Sequence, residues 1–96
     1  MLQEIVIKAN ADESIKPLVE AAIRNQLKAL QHGINRTKEQ IIKFERHAGM
    51  SSEEFEKKLH DGEIEETLES IDWNMELEAL HFLQRQYQSL SEATID

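Results

Sequence analysis

Ninety-six residues confine this chain to one small domain that struggles to bury enough surface alone. It has no cysteine, so neither a disulfide nor a thiolate metal site holds it together, and no apolar run approaches the length of a membrane span. The net charge of −8 argues against plain backbone-driven binding to nucleic acid. The opening MLQEIVIKAN lacks the basic start and long apolar stretch of a signal peptide, and with the reduced composition this points to a cytoplasmic protein.

The charge is divided unevenly. Residues 1–50 carry eight Lys/Arg against six Asp/Glu, whereas residues 51–96 carry three against thirteen. Such a division either draws the two halves together or offers an acidic half to a basic partner.

In chain order, Leu2, Ile5 and Ile7 with Val6 between them make a β-like start over 2–8, too short to be stable unless it pairs or packs. A long helix is expected over 15–48, with Pro17 accepted in its first turn. Its apolar positions Ile23, Leu27, Leu30, Ile34, Thr37, Ile41, Phe44 and Ala48 step by 4 and 3 in alternation, the heptad seam of a helical pairing broken only by Thr37. Gly33 falls inside this series without a phase slip, so one helix is expected to run through it at a cost near 1 kcal/mol relative to alanine.

A rigid corner follows. Gly49 suits the left-handed position that stops the long helix, Ser51 with Glu54 reads as a capping box, and Met50 with Phe55 as a hydrophobic staple. Glu53–Lys57 and Glu54–Lys58 support a short helix over 51–60, which Gly62 stops. A last helix is expected over 65–90 and a frayed tail over 91–96. Ile64, Leu68, Ile71, Met75, Ala79, Leu80, Leu83, Tyr87 and Leu90 recur at three and four, and Trp73, Leu77 and Phe82 widen the stripe enough to touch more than one neighbour.

The expected fold is all-α: a long heptad helix, a short capped helix and a second long helix folding back as a hairpin. A two-helix hairpin of this inventory is marginal, so pairing through the seam 23–48 into a homodimer or higher bundle is expected.

The phrase GMSSEEFEKKLHDGE, followed by IDW and a hydrophobic helix, resembles a family of short prokaryotic proteins. Its members read as a short β start, a long heptad helix, the same glycine-bracketed phrase and a later acidic-aromatic stretch. The likeness covers most of residues 5–90, and its most specific part lies between Gly49 and Glu63. The chain departs from the pattern at His47, where an aromatic residue is common, and at EIEETLES. The resemblance implies an antitoxin-like partner in a small toxin–antitoxin pair. It brings no catalytic residue.

Nothing in the sequence forms a Ser/His/Asp arrangement, a phosphate loop or a paired-carboxylate cleft, so no enzyme is expected and no cofactor is called for. Glu78 and His81 make a Glu-x-x-His pair of the kind used in di-iron bundles, a remote metal reading that needs further carboxylates from Glu20, Glu39 or Glu45, all off the seam. His32, His47, His60 and His81 are scattered, and His47 and His60 read as helix-end residues. The β-like start before a helix suggests a ribbon–helix–helix DNA-binding regulator, but Lys8 and Lys16 are its only nearby cations and the helix shows no break. Trp73, Leu77, Phe82 and Tyr87 are the candidates for anchoring a protein partner, with core packing as the plainer alternative. The leading reading is therefore a non-enzymatic interaction module, dimeric, with an acidic half for a basic protein such as a toxin. A self-associating structural protein is the alternative.

Overall fold

The computed structural model describes residues 3–5 and 15–95. It contains β1 (Gln3–Ile5), α1 (Ile15–Ala48), α2 (Ser52–His60), α3 (Leu68–Ser91) and β2 (Ala93–Ile95). The molecule is a rod of 60 × 22 × 17 Å, the thickness of one helical hairpin. Of the expected β-like start, Leu2 and residues 6–8 lie outside the described residues.

The long helix runs unbroken through Gly33, as the uninterrupted heptad phase requires. A Cβ built on Gly33 would lie 3.5 Å from Leu83 Cδ1, an ordinary contact, so the glycine reflects no steric demand from α3. At ~1.5 Å per residue α1 is about 51 Å long and α3 about 36 Å. The two pack antiparallel: Gly33 lies beside Leu83, and Phe44 stacks near Trp73. This register brings the end of α3 level with the middle twenties of α1, leaving the first turns of α1 beyond it.

The seam is covered by the chain's own α3. Leu30, Ile34, Thr37 and Ile41 are buried, Ile23, Leu27 and Phe44 are half-buried, and Ala48 is exposed. Over its middle, Leu30 to Ile41, the seam is thus covered within one chain, where a second molecule was expected to cover 23–48. Heptad spacing demands a partner helix without saying which, and a rigid two-glycine corner lets α3 supply it.

Helix α3 begins at Leu68 rather than 65, because Thr67 is its N-cap. The Thr67 hydroxyl accepts from Ser70 N at 3.0 Å and Ser70 Oγ accepts from Thr67 N at 2.8 Å, a reciprocal box that leaves Glu65 and Glu66 outside the helix. The expected frayed tail is also corrected. β2 pairs in parallel with β1, with Gln3 against Ala93, Glu4 against Thr94 and Ile5 against Ile95. Each strand alone is too short to persist, and the ladder gives its backbone groups partners.

Candidate protein interaction surface

The corner is built by local signals. Gly49 adopts φ +67°, and Met50 N donates to Glu45 O across the end of α1. Ser51 caps α2, accepting from Glu54 N at 3.1 Å. The Glu54 carboxylate lies 3.6 Å from Lys58 Nζ, while Glu45 reaches over from α1 to accept from Ser52 N at 2.8 Å. One half of the expected capping box is thus made by Ser51, and the long helix itself supplies a further acceptor to the first turn of α2. Gly62, at φ +74°, closes α2: its N–H donates to Leu59 O and that of Glu63 to Lys58 O, the two bonds of a Schellman stop.

Inside this bracket lies the densest part of the molecule. Phe55, Trp73, Leu77 and Ile41 form the buried cluster, with Phe44, Met50, Leu59, Ile64 and Leu80 packed against it. Trp73 stacks on two rings, Phe55 at 4.0 Å and 8° and Phe44 at 6.0 Å and 12°. Its indole N–H donates to Ser52 Oγ at 3.1 Å, so the one polar atom of the ring is satisfied. Trp73 and Leu77 are therefore core residues, which corrects their place among the partner anchors. Of that set Phe82 is exposed and Tyr87 half-buried. The broad stripe of α3 separates into two faces. Ser70, Trp73, Leu77 and Leu80 look onto α1 and the corner, while Leu68, Ile71, Met75 and Phe82 look outward.

The linker 64–67 crosses the start of α3 and leaves a cleft on either side. One, of about 290 Å³, is lined by Met50, Phe55, Ile64 and Trp73, with Glu65, Glu69 and His47 among its polar residues. The other, of about 330 Å³, lies between Leu59, Ile64, Ile71 and Met75. His47 Nδ1 stands 2.6 Å from Glu69 Oε1 and ties the last turn of α1 to the first turn of α3. Between Lys58 and Arg85 the chain carries eight carboxylates and no Lys or Arg, and of these Glu65 and Glu69 line the first cleft and Glu66 the second. By contrast α1 carries seven Lys/Arg against three Glu.

No protein-family model, curated protein or solved structure matches the chain. Its function has to be read from the corner and the two faces of α3.

Other sequence candidates are not assembled into sites. Glu78 and His81 are both exposed on α3, and among the described residues no three potential ligands gather to hold a metal ion. Of the carboxylates proposed to complete that site, Glu45 is engaged with Ser52 N. β1 pairs with the chain's own β2, and α1 has no turn in it, so the helix–turn–helix half of a ribbon–helix–helix arrangement is absent among the described residues. No described helix is long and apolar enough to cross a membrane. Sequence reasoning missed the Thr67–Ser70 cap and the clefts beside it. The Thr-Leu-Glu-Ser spacing could have shown the cap, since a hydroxyl three residues on can answer the first hydroxyl as a glutamate would.

Proposed function

We propose that this chain is a non-enzymatic protein-interaction module that works as a homodimer and covers a basic surface of a protein partner with its acidic C-terminal half. The partner is toxin-like, in keeping with the antitoxin-type family that the corner phrase resembles. The observation that carries the reading is the set of carboxylates at the two clefts, Glu65 and Glu69 at one and Glu66 at the other, beside the half-buried Met50 and Ile64, within a segment of eight carboxylates that has no Lys or Arg. Carboxylates speed encounter and set orientation, and an apolar floor gives the contact something to bury. Glu69 is already paired with His47, so Glu65 carries most of the recognition at the first cleft and Glu66 at the second.

The test is co-purification of the product of the adjacent gene with the tagged chain at low and high salt. Recovery should be strong at low salt and weaken as the Debye length shrinks from about 10 Å toward about 3 Å. Charge reversal by Glu65→Lys with Glu66→Lys should lower affinity at least tenfold while leaving helix content unchanged. Recovery of nothing at low salt would sink the proposal. A second reading, a self-associating structural protein with no other partner, is favoured by one observation: the outward face of α3 exposes Leu68 by 82 %, Met75 by 60 % and Phe82 by 54 %. It predicts full assembly of the purified chain with no loss on reversing Glu65 and Glu66.

A further inference from the structure

The outer face of α3 has an internal symmetry that names its occupant. Its apolar positions are Leu68, Ile71, Met75, Ala79 and Phe82, with steps of 3, 4, 4 and 3. The series reads the same in both directions from Met75. A two-fold dimer presents one patch to its own copy, so it requires a self-complementary patch. If two copies of α3 cross antiparallel about Met75, a residue n places before it meets the residue n places after it in the partner. Leu68 then meets the partner's Phe82, Ile71 meets the partner's Ala79, and Met75 lies on the axis against its own counterpart. Each contact is apolar against apolar, and at one of them a large side chain faces a small one, the arrangement that lets layers interdigitate.

One further observation agrees with this crossing. The 330 Å³ cleft bordered by Leu59, Ile64, Ile71 and Met75 lies at the end of α3 where the partner's Phe82 arrives. The face is also free to be covered: Ile71 and Trp73, like Met75 and Leu77, are two residues apart and so about 200° apart around the helix. Covering the first of each pair does not disturb the second.

We propose that the chain dimerises through this outer face, antiparallel about Met75, giving a layer of four helices with the two α3 helices at its centre. The inference rests on the self-association in the reading above and adds its surface, direction and axis. The first cleft and its carboxylates stay accessible on the flanks for a basic partner. The outer stripe, 68 to 82, spans only about 21 Å, which places the interface at the small end of stable ones and its dissociation constant in the range of about 1–100 µM.

The full-length chain tests this directly, because it has no cysteine and any introduced one is alone. Sedimentation should show twice the 11.1 kDa chain mass at high concentration and dissociation on dilution. Met75→Cys should oxidise to a linked dimer at least tenfold faster than Leu68→Cys or Ile42→Cys, since an antiparallel pair holds the two copies of residue 68 about 20 Å apart. Met75→Glu should give a monomer with unchanged helical circular dichroism, because that side chain is exposed in the single hairpin. A wild-type chain that stays monomeric overturns both the self-association reading and this inference. A dimer that survives Met75→Glu, or in which residue 68 links as fast as residue 75, leaves self-association standing and overturns this surface. A monomer that loses its adjacent-gene partner on Met75→Glu would instead assign the face to that partner.

Discussion

The two ends of the hairpin are built on different terms. At the corner end, α1, α2 and α3 converge within one loop's length on three stacked rings, two glycine stops and two hydroxyl caps. At the other end α1 runs past α3, Ile15 and Leu18 are exposed, Ile23 and Leu27 are only half-buried, and a three-residue ladder joins the strands. Both ends draw on the same seam and the same 3–4 periodicity. Periodicity therefore sets which side of a helix is apolar, while the density of a core is decided by how many elements the chain can bring to one place.

That contrast can be broken most forcefully at Trp73. Trp73→Ala removes the ring on which both phenylalanines stack and should cost about 3–5 kcal/mol, enough to unfold a domain of this size. Leu27→Ala, at the open end, should cost clearly less, about 1–2 kcal/mol, since the side chain is half-buried. Urea midpoints of the two variants measure the difference, and equal losses would mean that the two ends fold as one uniform rod.

A finer test uses one substitution at two glycines. Gly62→Ala forces a Cβ into φ +74° and should destabilise by about 1–2 kcal/mol, although no atom stands in its way. Gly33→Ala, in the middle of α1 with room beside Leu83, should stabilise by about 0.5–1 kcal/mol. Opposite shifts in melting temperature would show that the corner glycine is there for its backbone and the helical one is not. The smallest effect belongs to the exposed pair that closes the corner. His47→Ala should change stability by less than about 1 kcal/mol despite the 2.6 Å contact, because His47 is largely in solvent.

Much of the fold was legible because its signals are local. The unbroken phase through Gly33 and the stop–cap–stop grammar of Gly49, Ser51 and Gly62 each act within a few residues, and the structure follows them. What was not legible depends on contacts distant in sequence. The heptad series of α1 said that a helix must cover Leu30, Ile34 and Ile41, but only the direction set by the corner made that helix α3. The stripe of α3 was seen as one broad band, and the rotation that turns Trp73 and Leu77 inward while leaving Leu68, Met75 and Phe82 outward follows from the ring stack with Phe44 and Phe55. The pairing of β1 with β2 joins residues about ninety positions apart, beyond the reach of any local pattern. As for the interaction surface, the sequence showed its charge, but not the clefts that the 64–67 linker leaves at either side.

The chain holds a single tryptophan, 2 % exposed and stacked on two phenylalanines. Its emission is thus a private optical gauge of the corner, changing when those rings part and silent while they hold. Because that indole points away from the outer side of α3, light from it separates loss of structure from loss of company without any added dye.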